Sequence, residues 1–218
     1  MSVAIGINGF GRMGRLFLRA AWQRAGVEFV HVNELGCDAA TSAHLLQFDS
    51  VHGTWSEGCS AAGGSLHIAE HAVGYSSVAD VRGVDWSGCD IVIEATGKHH
   101  KTPEVLEQYL EQGVKKVLVA APTEGALNIV YGVNHADYAA GEHHIVTAAS
   151  CTTNCLAPVV KVMHEQVGIR HGSMTTIHDL TYTQTLVDKG HKVLRRARAA
   201  GLSLIRTSTG SARAISNL

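Results

Sequence analysis

Residues Val3–Leu16 read VAIGINGFGRMGRL, and the fold turns on how this stretch is read. Ser2 to Ile7 alternates into a short β-branched strand. Gly9-x-Gly11-x-x-Gly14 follows at once, and the next run, RLFLRAAWQRA, has helical apolar spacing and ends at Gly26. A lone glycine pattern is weak in a chain with 23 glycines. Between a strand and a helix, with Glu34 about 20 residues beyond Gly14, it is specific for a dinucleotide. The glycines permit a tight turn and close approach of backbone to a pyrophosphate. The helix N-terminus supplies N–H donors and a positive dipole end. Glu34, closing the second strand VEFVHVN, can accept hydrogen bonds from ribose hydroxyls and would repel a 2′-phosphate. The expected cofactor is therefore NAD rather than NADP.

The same alternation continues outward. DAATSAHLLQF reads as a helix capped by Asp38, and residues 50–80 as a small antiparallel excursion. CDIVIEAT reads as a buried strand, and TPEVLEQYLEQG as a helix with Pro103 in its first turn and Gly113 at its end. VKKVLVAAP, LNIVYGV and HHIVTAAS read as three further strands. Strand–helix alternation of this kind predicts an α/β, Rossmann-type, doubly wound parallel sheet over residues 1–150. Beyond it lie a long helix from Cys151 to about Val167, a strand entering a loop in HGSMTTIHDLTYTQT, a basic irregular segment, and a helical start in SARAISNL.

Composition narrows the classes. Apolar residues make up 45% and charged residues 17%, with a net charge of −1, so a globular fold is expected and a nucleic-acid partner is not. No apolar run approaches the ~20 residues of a membrane span, and the start lacks the basic and apolar regions of a signal peptide. These features predict a cytoplasmic protein. Cysteines stand at 37, 59, 89, 151 and 155. In AASCTTNCL the last two could form a disulfide, a metal clip, core filler, or a nucleophile with a bystander. A helical turn holds their Cα atoms near the upper limit for bridging, which disfavours the disulfide. Fourteen histidines raise the question of a metal, but no Cys-x-x-Cys or His-Glu-x-x-His pattern accompanies them, so none is expected.

INGFGRMGRL, FDSVHG, EATG, ASCTTNCLAP, TTIHDLT and STGSA occur in an order and at spacings that resemble phosphorylating glyceraldehyde-3-phosphate dehydrogenase of type I. The resemblance covers the whole chain. It implies NAD-dependent oxidation of glyceraldehyde 3-phosphate to an acyl phosphate through a cysteine thioester, in a homotetramer. It also implies that residues 151–218 begin an α+β catalytic domain that is incomplete, with about a third of the family's length missing after Leu218. By resemblance Cys151 is the nucleophile and His178 its base. Chemically this is coherent: a helix N-terminus and an imidazolium both lower a thiol pKa. Cys155, a turn along, is read as a small buried hydrophobe. By resemblance, too, Arg12 and Met13 flank the pyrophosphate turn, Asn33 and Glu34 meet the adenosine end, and Thr96 and Gly97 lie where the dinucleotide crosses. Ser150, Thr152, Thr209 and Gly210 match the site of the attacking phosphate, and Thr181 and Arg195 that of the substrate phosphate. Arg196 and Arg198 are read as interface residues.

The sequence also departs from the family pattern. Ala120-Ala121-Pro122 lacks a serine hydroxyl usual before Ala-Pro, and SSVADV lacks the Arg-Asp-Pro that borders the adenine. Asp179 follows the histidine where Ala or Ser is usual. That variant looks most like the branch found in arsenic-resistance operons, where arsenate replaces phosphate as acceptor. It is shared with erythrose-4-phosphate dehydrogenase, an alternative reading. A non-catalytic NAD-binding fragment is a second alternative, and a peroxide-sensing thiol at Cys151 a third.

Overall fold

The computed structural model describes residues 2–181, 184–207 and 209–215. Tyr182 and Thr183 of the TYTQT run, Ser208 of STGSA and the last three residues of SARAISNL lie outside them. The chain divides into two compact units, residues 1–150 and 151–218.

In the first unit β1 (Val3–Asn8) is followed by α1 (Arg12–Ala21), β2 (Val27–Asn33) and α2 (Ala39–Gln47). Asp38 caps α2 by accepting from the Thr41 N–H at 2.8 Å. A two-residue hairpin, β3 (Phe48–Asp49) with β4 (Gly53–Thr54), precedes an antiparallel meander of β5 (Cys59–Ala62), β6 (Ser65–Ile68) and β7 (His71–Ser76). Then come β8 (Ile91–Glu94), α3 (Pro103–Glu111), β9 (Lys116–Val119), β10 (Leu127–Asn128) and β11 (Ile145–Thr147). The nine-stranded sheet runs β10-β11-β9-β8-β1-β2-β7-β6-β5, and every pairing from β10 to β7 is parallel. The excursion over 50–80 thus forms one antiparallel flank of the main sheet, because β7 returns to pair with β2.

Successive strand residues face opposite sides, and both sides are covered. On β8, Ile93 joins a core with Phe10 and Leu18, while Val92 joins one with Leu106 and Tyr109. Strand order reverses beside β1, between β2 and β8, which is the topological switch point where doubly wound sheets bind ligands.

Two sequence expectations shorten or fail. LNIVYGV keeps only Leu127–Asn128 as strand: the Asn134 side chain captures the Val130 N–H at 2.8 Å, and Gly132 turns the backbone at φ +86°. HGSMTTIHD is not a strand, since a strand needs a ladder partner and none pairs with it among the described residues. Ile177 accordingly lies 97% exposed.

The second unit consists of α4 (Cys151–Val167), a 3-10 turn at Leu194–Arg196, and α5 (Ser211–Ile215), joined by irregular chain. Thr153 and Ala157, one turn apart on α4, and Ser211 are its buried residues among those described. Thr153 Oγ1 donates to Ser211 Oγ at 3.3 Å, tying α4 to α5.

Candidate active site and cofactor cradle

Each glycine of the fingerprint has its own reason. Gly9 stands at φ +91°, and a Cβ there would lie 2.5 Å from the Thr96 nitrogen. The turn after β1 therefore passes hard against the loop after β8. A Cβ on Gly14 would lie 2.3 Å from the Gly9 carbonyl, so the third glycine lets α1 pack on the turn. Gly11 has no protein atom within 4 Å of that position. Its smallness serves nothing in the chain and leaves space for a ligand's close approach. It is also the N-cap of α1, and no side chain caps that end. An open, uncapped helix N-terminus beneath a bare glycine fits a pyrophosphate, so the residues present fit NAD. Arg15 braces the turn, donating to the Phe10 carbonyl at 2.9 Å.

Around this cradle the sequence-derived residues take different positions. Met13 is exposed. The Arg12 guanidinium pairs with Asp49 at 2.9 Å and approaches His52 Nδ1 at 3.4 Å. The His52 and Val51 N–H groups hold the Asp49 carboxyl far below the usual carboxylate range. Glu34 accepts from the Gly36 N–H at 2.6 Å. Asn33 is buried, and its amide is fully engaged: Nδ2 donates to Asn8 Oδ1 and to the Val78 carbonyl, and Oδ1 accepts from Ser76 Oγ and the Val78 N–H. It locks the end of β2 and so orients Glu34. Thr96 gives both its N–H and its hydroxyl to Glu94 Oε1, and Gly97 follows at φ +71°.

Glu94 was not expected from the sequence to matter. It is buried and makes no ion pair among the described residues, and its second oxygen accepts from Asn8 Nδ2 at 3.2 Å and the Tyr109 hydroxyl at 2.6 Å. Four donors on two oxygens satisfy a buried carboxylate without a counter-ion. Burial and that neighbouring carboxylate push the Tyr109 hydroxyl pKa far up, so it remains a donor.

In the second unit, Cys151 is the first residue of α4. Ala149, two residues earlier, stands at φ +55°, the left-handed region that L residues avoid. Cys151 Sγ lies 3.2 Å from His178 Nε2. His178 Nδ1 faces the Asp179 carbonyl at 2.8 Å. A carbonyl only accepts, so Nδ1 carries a proton and Nε2 is turned to the sulfur. Partial burial pushes the thiol pKa up, but the His178 contact and the Thr152 N–H outweigh it, and the net shift is below the ordinary 9.0. The hydrogen bond to Asp179 and the sulfur's proximity raise His178 above 6.5. Both directions favour a thiolate–imidazolium pair. Burial pushes Cys59 and Cys89 the other way, to about 11.

Beside the pair is a cavity of about 260 Å³. Cys151, Thr152, His178, Thr181 and Thr209 line it, with Asp179, Arg196 and Arg198. Arg195 does not line the cavity, and its Nε donates to the Arg206 carbonyl at 3.0 Å. One step along the 3-10 turn rotates a side chain by about 120°, so Arg196 faces in where Arg195 cannot. Arg198 is held by Asp188 at 2.6 Å. Local spacing in LRRAR gives no means of choosing among these arginines. Cys155 is exposed rather than buried. It lies two residues from both Thr153 and Ala157, about 200° around α4, on the face opposite to them. Gly210 does not line the cavity, and Ser150 closes the first unit as the chain neighbour of Cys151. Among the described residues no three His, Cys, Asp or Glu side chains gather to hold a metal, and no helix is long and apolar enough to cross a membrane.

The chain is similar to known proteins along nearly its whole length. Residues 3–102 match the family model described as glyceraldehyde 3-phosphate dehydrogenase, NAD binding domain, and residues 150–218 match that of the C-terminal domain. The chain is 57% identical over 218 residues to glyceraldehyde-3-phosphate dehydrogenase 3 of Nostoc sp., covering 99% of this chain and 64% of that protein. It is 46% identical over 218 residues to the enzyme of Geobacillus stearothermophilus, with the same coverage, and 46% over 219 residues to glyceraldehyde-3-phosphate dehydrogenase 1 of Bacillus subtilis, covering 99% and 65%. The chain thus spans about 64% of the length of these relatives.

Proposed function

The chain belongs to the glyceraldehyde-3-phosphate dehydrogenase family, and from that premise we propose that it carries the NAD site and the nucleophile of a dehydrogenase that oxidises glyceraldehyde 3-phosphate to an acyl phosphate or acyl arsenate. The observation that carries this reading is Cys151 Sγ at 3.2 Å from His178 Nε2, beside a cavity furnished with guanidinium and hydroxyl donors. Gly9, Gly11 and Gly14 with the N-terminus of α1 would hold the pyrophosphate, Glu34 the adenosine ribose, and the Thr96–Gly97 loop the part crossing the switch point.

The Cys151 thiolate attacks the aldehyde carbon and forms a C–S bond. The His178 imidazolium gives its Nε2 proton to the resulting oxyanion, completing a hemithioacetal. NAD, when bound, supplies the two-electron acceptor for the hydride of that carbon. His178, now neutral, takes the hydroxyl proton back, leaving a thioester on Cys151. An oxyanion positioned by Thr152, Thr209 and the cavity arginines attacks the thioester carbon. The C–S bond breaks, and sulfur departs as a thiolate beside the imidazolium, which restores the starting pair. Phosphate and arsenate are both tetrahedral and can fill the acceptor role. The cytoplasmic homotetramer belongs to the same proposal for the full-length protein.

The test is reduced-cofactor absorbance on mixing the folded protein with glyceraldehyde 3-phosphate, NAD and phosphate or arsenate. Turnover abolished by Cys151→Ser supports the reading. No turnover from a sample that still binds NAD restricts the chain to a nucleotide-binding fragment.

A further inference from the structure

We propose that Asp179 makes the cavity beside Cys151 selective for tetrahedral inorganic oxyanions that carry a proton, such as hydrogen phosphate or hydrogen arsenate, over unprotonated ones such as sulfate. The inference rests on reading that cavity as the oxyanion site, and it names the ligand chemistry the site takes.

An anion site built only of donors does not distinguish these ligands, because all present similar oxygens at similar spacing. Arg196 and Arg198 are donors only, and the hydroxyls of Thr152 and Thr209 adapt to either role. Asp179 is the one carboxylic acid among the lining residues. Its Oδ1 accepts from the Leu180 N–H at 2.7 Å, and among the described residues no donor meets Oδ2. An ionised carboxylate can only accept. A hydrogen phosphate brings an O–H and forms a charge-assisted bond to that oxygen. Sulfate at neutral pH brings none, and meets a like charge without a hydrogen to share. The Cys151 thiolate is also negative, but it repels every anion alike and so sets affinity rather than choice. Both ring nitrogens of His178 are engaged, Nδ1 with the Asp179 carbonyl and Nε2 with the Cys151 sulfur, so it does not discriminate among the anions. Selectivity therefore falls to Asp179.

The experiment follows carbamidomethylation of Cys151 by iodoacetamide in the 218-residue chain, read by peptide mass, at fixed pH and ionic strength. The added anions are inorganic phosphate, arsenate and sulfate. Phosphate and arsenate should slow the reaction at concentrations about tenfold below those needed for sulfate. In Asp179→Asn, whose side chain can also donate, the ratio should fall towards one, chiefly because sulfate gains. Unprotected Cys151 reactivity and NAD-induced thermal stabilisation report that the variant is folded. If it is not, the wild-type ratio decides alone. Equal protection of the wild type by sulfate and phosphate overturns the proposal, as does a variant in which all anions improve by one common factor, and as does absence of protection by phosphate. The dehydrogenase assay fails or succeeds independently, since alkylation needs neither aldehyde nor cofactor.

Discussion

At the scale of single residues, the surroundings of three thiols push their pKa values in opposite directions. Cys59 and Cys89 are held protonated by burial, near 11. Cys151 is drawn below 9.0 by contacts that stabilise its anion. A lowered thiol pKa means that the thiolate survives to lower pH than usual and is lost only when pH falls through that lowered value. Alkylation of Cys151 should therefore set in at a lower pH than that of a free thiol, measured as rate against pH. His178→Asn removes the partner, so the profile should move up towards the ordinary value. At neutral pH the rate should then fall about tenfold for each unit of pKa returned. An unchanged profile would detach His178 from the thiol. The sequence made this pair legible only through the resemblance of its motifs, because 27 residues separate its members and neither spacing nor periodicity links them. It did not make Arg196 and Arg198 legible, since a choice among neighbouring arginines depends on where a 3-10 turn points. Cys155 was misread because composition says what a residue prefers, not which helix face it occupies.

At the scale of elements, the strand–turn–helix of the fingerprint was legible because sterics leave so few alternatives, and the structure separates the three glycines by cause. Gly9→Ala and Gly14→Ala drive a methyl into backbone at 2.5 and 2.3 Å, and should cost about 1–3 kcal/mol of stability in a denaturant titration. Gly11→Ala meets no protein atom. It should leave stability within about 0.5 kcal/mol yet weaken NAD about tenfold or more by calorimetry, because the methyl occupies the ligand's space. Equal stability losses at all three positions would refute that division. The loop after β8 has a different support. Glu94→Gln replaces a pure acceptor by a group with its own donors, facing Asn8 Nδ2, the Tyr109 hydroxyl and Thr96. It should cost about 1–3 kcal/mol and also weaken NAD. Tyr109→Phe, which removes one donor of four, should do less of both. This network was invisible in the sequence, since it joins β1, β8 and α3 across 101 residues. Strand ends were the least legible feature, as LNIVYGV shows: a local side-chain bond at Asn134 outcompetes the ladder.

At the scale of the whole molecule, the two units differ in what stabilises them. Residues 1–150 bury two apolar layers, one on each face of a nine-stranded sheet. The described part of residues 151–218 holds no strand, and Thr153, Ala157 and Ser211 are its buried residues. Along α4 the apolar side chains of Val159, Val162, Met163 and Val167 are exposed. Segments with few buried apolar contacts open at low free energy. Arg170, Lys189, Lys192, Arg195 and Arg206 all lie exposed on such chain. Brief trypsin treatment should therefore cut first between 170 and 206 and release a fragment containing residues 1–150. NAD binds the folded first unit, so at a hundred times its dissociation constant it should stabilise that fragment by about 2.7 kcal/mol, seen as a raised melting temperature. It should leave the initial cuts between 170 and 206 almost unslowed. Protection of those sites by NAD as strong as the protection of the first unit would show instead that the two units unfold as one, and would move the stability of the second from its own contacts to the cofactor.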